Sequence, residues 1–218
     1  MIILLIGPQA SGKGTQAKLL VEKFGMTYFE MGKIFREISK ERSSWGRRIS
    51  AFVLNGKPVP DDLTIQIADK SFEQMKDLGN VVFDGLPRTP DQAKYLEDLL
   101  SKHGKKIDLV VYLSLAKEKV FERLANRRTC SQCGRVYNTV TSPPIVDGVC
   151  DSCGGKLVVR DDETPERIYR RLSWFDLNVL PTIEYFKGKG LVEEVDGDRP
   201  IEVIFKDIVE RLKKRGLV

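Results

Sequence analysis

Short apolar runs alternate along the chain with stretches in which apolar residues recur every third or fourth position. Ile2–Ile6 is uniformly apolar, the signature of a strand covered on both faces. Ala17, Leu20, Val21 and Phe24 then stand at i, i+3, i+4 and i+7, which predicts a helix from about Lys13. A second run, Val81–Phe83, ends at Asp84, and a third, Ile107–Leu115, leads into a helix through Val120 and Leu124. A long helical stretch follows from about Pro165 to Phe186, then a short strand Leu191–Val195 and a helix from about Pro200 to Lys214. Strands separated by helices imply right-handed crossovers and a parallel sheet covered on both faces. The expected fold is therefore α/β, a doubly wound parallel sheet.

Two stretches break the rhythm. Residues 30–59 are charged and helical in character, between a strand ending near Phe29 and the turn-like Gly56-Lys57-Pro58-Val59-Pro60. Residues 127–160 contain all four cysteines, Pro143-Pro144 and several glycines, a composition suited to short strands and turns. Both are expected to be insertions that act as lids on a core made of 1–29, 60–126 and 161–218.

Composition narrows the class. With 218 residues, 41% hydrophobic and 31% charged, the chain is long enough for a sizeable core and is excluded from the disordered class. The longest apolar run, Ile2–Ile6, falls far short of the ~20 residues of a membrane-spanning helix. No basic residue precedes it and no small-residue cleavage site follows, so it reads as a buried strand and not a signal peptide; a cytoplasmic protein is expected. The net charge of +5 and pI near 8.9 suit nucleic acid and small phosphorylated ligands equally, so the placement of the basic residues must decide.

Gly7-Pro8-Gln9-Ala10-Ser11-Gly12-Lys13-Gly14-Thr15 follows the first strand and opens the first helix. This is the G-x4-G-K phosphate loop in its required strand–loop–helix setting. Glycines let backbone N–H groups turn inward, the helix N-terminus adds partial positive charge, and Lys13 reaches the β- and γ-phosphates. Gly14 stands where a hydroxyl residue is usual, and the hydroxyl comes one place later at Thr15. A divalent metal would then be held mainly through phosphates, water and Asp84. The bland alternative, a glycine-rich turn that binds nothing, does not account for strand, spacing, lysine and helix together.

The run Val81-Val82-Phe83-Asp84-Gly85-Leu86-Pro87-Arg88-Thr89 delivers Asp84 to the C-terminal end of a strand, where ligands bind in doubly wound folds. Gly85 and Pro87 make a turn that aims Arg88 back over the same end. Taken alone, Asp84 and Arg88 could equally be a loop carboxylate and a surface arginine paired with each other.

These motifs together, with Gln92, with Lys57-Pro58-Val59-Pro60-Asp61-Asp62 and with Glu122-Arg123 before Arg127-Arg128, resemble the nucleoside monophosphate kinases. More narrowly, they are similar to the long-lid bacterial adenylate kinases, over essentially the whole chain. The resemblance implies that Gly7, Gly12, Lys13, Gly14 and Thr15, with Arg123, Arg127 and Arg199, bind ATP. It implies that Met31, Arg36, Val59, Gly85, Arg88, Gln92, Arg160 and Arg171 bind AMP, with Arg36 and Arg88 at its phosphate and Gln92 at its base. Lys13, Arg88, Arg123, Arg127, Arg160 and Arg171 would be catalytic, and Asp84 would hold Mg2+ through water. A monomer without nucleic-acid or membrane partners is the family expectation. The family usually carries Thr-Gly-Asp before the acceptor helix, whereas this chain has Met31-Gly32-Lys33, preceded by Glu30; Ala10 stands where glycine is common.

An arginine-rich site is also what the chemistry asks for. Phosphoryl transfer needs positioning and charge neutralisation more than covalent help, and guanidinium groups supply both with bidentate geometry. Arg123 and Arg127 are four apart and are expected to share a helix face. Arg128, Arg167 and Arg170 read instead as a solvated face, with Asp161, Asp162 and Glu163 as ready partners. His103 lies in a polar connection, which leaves no candidate for histidine acid–base catalysis. Trp45 and Trp174 read as packing residues.

Cys130-x2-Cys133 and Cys150-x2-Cys153 are separated by sixteen residues, within the zinc-ribbon window. Four thiolates make a closed tetrahedral site, so the expected metal is structural Zn2+; free cysteines or two disulfides are the alternatives. Arg135 and Tyr137 are the only basic and aromatic residues between the pairs, thin for a nucleic-acid surface. The sequence thus points to Mg·ATP + AMP ⇌ 2 ADP. Another monophosphate acceptor (CMP, UMP or GMP) is the closest alternative, and a nucleic-acid-associated zinc-ribbon ATPase is a more distant one.

Overall fold

The computed structural model describes residues 1–75, 77–160 and 164–218. Its central sheet has five parallel strands among the described residues, β1 (Ile2–Ile6), β2 (Thr27–Glu30), β3 (Val81–Asp84), β4 (Leu109–Ser114) and β8 (Val192–Asp196), in the order β2-β3-β1-β4-β8. All five residues of β1 are buried, as its uniformly apolar sequence requires. Alternation then divides the strand between two cores. Ile3 and Leu5 pack with Ala17 and Leu20 of α1 (Lys13–Phe24) and with Ile204, Ile208 and Leu212 of α9 (Ile201–Lys214). Ile2, Leu4 and Ile6 face α4 (Asp61–Glu73), α5 (Pro90–Lys102) and α8 (Leu180–Lys187) on the other side. There Phe29, Phe72 and Phe83 form an aromatic trio with centroids 4.8–5.8 Å apart. Each fully buried leucine of these layers contributes roughly 1.5–3 kcal/mol.

β1 lies between β3 and β4, and the chain departs to opposite sides of it. The crevice at the C-terminal ends of β1 and β3 is thus a topological switch point. Two groups of elements lie outside the sheet. On one side are α2 (Met31–Ile38) and α3 (Ser44–Val53), the latter capped by Ser43, whose hydroxyl accepts from Gly46 N at 3.0 Å. On the other, α6 (Lys117–Ala125) leads into a small antiparallel sheet, β6-β5-β7, made of β5 (Arg127–Cys130), β6 (Val136–Asn138) and β7 (Leu157–Val158).

Helix α7 (Pro165–Trp174) begins at Thr164, whose hydroxyl accepts from Arg167 N at 3.4 Å, and passes through a π-helical turn (Phe175–Val179) into α8. The long helical stretch expected from Pro165 is therefore one rod with a wide turn in it. One expectation fails. Arg123 and Arg127 do not share a helix face, because α6 ends at Ala125. Asn126 closes the helix and its carbonyl accepts from Thr139 N at 2.9 Å, which turns the chain so that Arg127 opens β5 opposite Asn138.

Candidate functional site

The segment Gly7–Gly12 links β1 to α1 and wraps the Lys13 side chain. Nζ donates to Gly7 O at 2.8 Å and to Pro8 O at 2.7 Å, with Ser11 Oγ at 3.4 Å. Burial lowers the Lys13 pKa to about 8; Asp84 opposes that shift, and Arg88 and Arg127 reinforce it. A cation this strongly disfavoured in the empty loop is prepared to gain from an arriving polyphosphate. Ala10 is held at φ 59°, left-handed backbone that a glycine would adopt without strain. Its carbonyl accepts from Arg123 Nη1 at 3.1 Å, while Arg123 Nη2 donates to Asp198 Oδ1 at 3.1 Å.

Asp84 ends β3 beside this loop. Burial raises its pKa; Lys13 opposes that shift and Glu30 adds to it. Tyr28, on the neighbouring strand, donates its hydroxyl to Asp84 Oδ2 at 3.1 Å. A Cβ on Gly14 would stand in ordinary contact with both, 3.4 Å from the Tyr28 hydroxyl and 3.8 Å from Asp84 Oδ2. Gly85 follows at φ 82°, and a Cβ there would come to 2.9 Å from Arg88 Nη2. The glycine thus lets the guanidinium fold back over its own turn. Burial lowers the Arg88 pKa; Asp84 opposes that shift, and Arg171 and Arg36 reinforce it. Three guanidinium groups therefore converge here.

They converge on one open cleft. Gly7, Lys13, Arg36, Val59, Gly85, Arg88, Arg160 and Arg171 all line it. Gln92 borders its inner end with Val59, Arg88 and Trp174. The Gln92 amide is fixed: Oε1 accepts from Arg88 N at 2.8 Å, and Nε2 donates to Asp61 Oδ1 at 2.7 Å. Met31 is fully buried in the apolar core with Phe35. Arg199 is not among the lining residues; its guanidinium donates to Asp196 O and to Asp207 Oδ2, the latter at 2.7 Å.

Of three residues expected on a solvated face or in packing, Arg170 and Trp174 also line the cleft, and Arg167 lies against the segment facing it. Arg170 lines the cleft and donates to Asn55 O at 3.4 Å, across to the segment after α3. The Arg167 side-chain carbons lie over Gly56, 3.4–3.5 Å from where a Cβ would be. Trp174 forms part of the cleft wall as well as packing on the core. The helical path of α7 brings these positions round, and the sequence around them carries no signal of a facing segment. Arg128 donates to the Ala125 and Arg127 carbonyls, in keeping with a local role. Its expected partners Asp161, Asp162 and Glu163 lie outside the described residues. His103 is exposed at the end of α5.

Sequence reasoning missed Tyr28, Gln9, Asp61, Gly197 and Asp198. Turned to match its neighbours, the Gln9 amide oxygen accepts from Arg171 Nη1 at 2.8 Å, linking the phosphate loop to α7. A Cβ on Gly197 would meet Ser114 O at 2.8 Å and Ser11 O at 2.9 Å, so a glycine there lets the end of β8 approach the loop. For Gly197 and Asp198 the available signal was position just past a strand end.

A sequence profile of adenylate kinases matches residues 5–191. The chain is 36% identical to an adenylate kinase of Lachnospira eligens over 212 residues, covering 97% of this chain and all of the relative. It is 37% identical to adenylate kinases of Syntrophomonas wolfei (98% of this chain, 99% of the relative) and Oceanobacillus iheyensis (99% and 100%). The chain belongs to the adenylate kinase family. It is accordingly a phosphotransferase, and its α/β core is the phosphate-loop fold of that family.

In this chain the four cysteines come together on the small sheet. Cys130, Cys133, Cys150 and Cys153 have sulfur atoms all within 4.8 Å of one another, and all four are free thiols. The Cys130–Cys153 and Cys133–Cys150 separations are 3.5 and 3.6 Å. Tetrahedral zinc with Zn–S bonds of about 2.3 Å requires sulfurs about 3.8 Å apart, so the donor set fits that ion. Outer contacts are in place too: Tyr137 Oη lies 3.4 Å from Cys150 Sγ, and Asp151 N donates to that hydroxyl at 2.9 Å. Such partners orient metal-binding thiolates.

Proposed function

We propose that the chain transfers the γ-phosphoryl group of Mg·ATP to AMP, with ATP on the phosphate loop and AMP in the inner part of the cleft. An oxygen of the AMP phosphate bonds to the γ-phosphorus as the bond from that phosphorus to the β–γ bridging oxygen breaks. ADP leaves on each side, and the reverse reaction follows the same path. The observation that carries this reading is the convergence of Lys13, Arg88, Arg36, Arg160 and Arg171 on one cleft at the switch point.

Lys13 would hold the β- and γ-phosphates, and backbone N–H groups from Gly7 to Thr15 would cradle them. Arg36 and Arg88 would grip the acceptor phosphate. Arg127, Arg160 and Arg171 would neutralise the equatorial oxygens of the group in flight, and Arg123 would lie over the donor. An arginine of this kind is worth ~10³-fold or more in rate. Val59 and Gln92 would border the acceptor base, with Met31 behind it. Mg2+, when bound, neutralises charge on the donor phosphates, and Asp84 would hold its water shell.

Residues 30–59 would close over the acceptor and residues 127–160 over the donor, excluding water that would otherwise hydrolyse ATP. Structural Zn2+ in the second lid, a cytoplasmic location and a monomeric state complete the reading. Turnover of ATP with AMP, CMP, UMP and GMP tests it, with Lys13→Met and Arg88→Ala alongside. AMP is expected to be the preferred acceptor and both variants to lose ADP formation while keeping the native fold. Preference for another monophosphate would move the assignment to that acceptor; normal turnover by either variant would show the assigned site to be wrong.

A further inference from the structure

Glu30 ends β2 where Asp84 ends β3, and the two residues are paired across the adjacent parallel strands. The Glu30 carboxylate is committed to one partner, with Oε1 2.6 Å from Arg36 Nη2. The pair is half-buried at the rim of the cleft, with the Glu30 side chain 28% exposed and that of Arg36 39%. Lys33, the nearest other cation on α2, takes no part; its ammonium lies 3.8 Å from Glu37 on the exposed face.

The pair has a definite orientation relative to the cleft. Arg36 lines the cleft and Glu30 does not. The second terminal nitrogen of Arg36, Nη1, lies over Gly32, 3.1 Å from where a Cβ would be. One end of the guanidinium is thus held by a carboxylate, and Arg36 and Arg171 both repel Arg88. Carboxylates beside such a concentration of positive charge ease its self-repulsion. Asp84 serves Arg88, and Glu30 serves Arg36.

We propose that Glu30 is the internal counter-ion of the acceptor site. Its carboxylate partners Arg36 when the site is empty, and it competes with the phosphate of the acceptor for that guanidinium. Glu30 is then a residue that sets acceptor affinity, weakening the binding of a dianionic monoester without touching the nucleoside. By the same competition it hastens release of the phosphorylated product. The inference rests on the reading of Arg36 as a ligand of the acceptor phosphate.

The test is equilibrium binding of AMP and of adenosine, in the absence of ATP, to the native chain, Glu30→Gln and Glu30→Ala, each with a thermal melt. Glutamine keeps an oxygen for Arg36 to hold and removes only the charge. The expected result is a Kd for AMP lower on the order of tenfold in Glu30→Gln, with the Kd for adenosine unchanged. Glu30→Ala, which also frees the guanidinium to move, tightens AMP by less. If the native chain binds AMP and Glu30→Gln binds it no more tightly, the counter-ion role is refuted. Equal tightening of AMP and adenosine refutes it as well, since the effect would not pass through phosphate. A native chain that fails to bind AMP overturns the acceptor assignment itself, and with it this inference.

Discussion

The Tyr28 hydroxyl donates to Asp84 Oδ2 at 3.1 Å, joining two neighbouring strands at the end of the sheet that faces the phosphate loop. A donor to a carboxylate stabilises its ionised form and lowers its pKa, here against burial, which raises it. Tyr28→Phe removes that donor, so the Asp84 pKa rises further. The acid limb of the kcat/KM profile should therefore move to higher pH, with a rate loss at neutral pH of roughly 3- to 30-fold. An unshifted acid limb would mean that Asp84 does not govern that limb.

Lys13, at about 8 in the empty protein, is close to half-protonated at pH 8. Phosphate oxygens favour the cation and raise the pKa, so ATP binding at pH 8 should take up about half a proton. At pH 6.5 the lysine is already charged and this contribution vanishes. Calorimetry in buffers of different ionisation enthalpy measures the uptake. Lys13→Met should abolish the uptake at pH 8.

Gly85→Ala places a side chain on left-handed backbone and a methyl group 2.9 Å from Arg88 Nη2. The conformational strain costs roughly 1–2 kcal/mol of stability. Displacement of the guanidinium should also weaken AMP binding while leaving the Kd for ATP near its native value. Thermal melting and the two binding constants read these effects separately.

Removing the metal should act on the small sheet before the core. Around the cysteines, among the described residues, only Cys130, Tyr137, Cys150 and Leu157 form a buried cluster, too little to hold the segment without an ion. The purified protein should contain one zinc ion per chain, and chelation or Cys133→Ser should lower the thermal midpoint. Partial activity should survive at low temperature. Equal stability with and without zinc would exclude a structural metal.

Much was legible in the sequence because its causes are local. The uniformly apolar Ile2–Ile6 can only be a strand covered on both sides, and the glycine spacing before Lys13 is a backbone requirement of phosphate binding. Gly85 before Arg88 is a turn whose geometry lies within four residues. The C-x2-C pairs announced a shared site through spacing alone. Where the sequence misled, a helix had been extended across a turn: Arg123 and Arg127 separate because Asn126 closes α6.

What the tertiary structure decided depends on partners distant along the chain or on the direction of a side chain. Strand pairing puts Tyr28 and Glu30 beside Asp84, more than fifty residues away. The path of α7 brings Arg170 to Asn55, and Trp174 to the cleft wall. The end of β8 presents Asp198 to Arg123, and the middle of α9 presents Asp207 to Arg199. Each of these choices is made by packing and charge pairing among elements that meet only when the sheet is assembled. Residue types and periodicity therefore determined the scaffold and its chemistry, and three-dimensional proximity determined which arginine faces the cleft and which carboxylate restrains it.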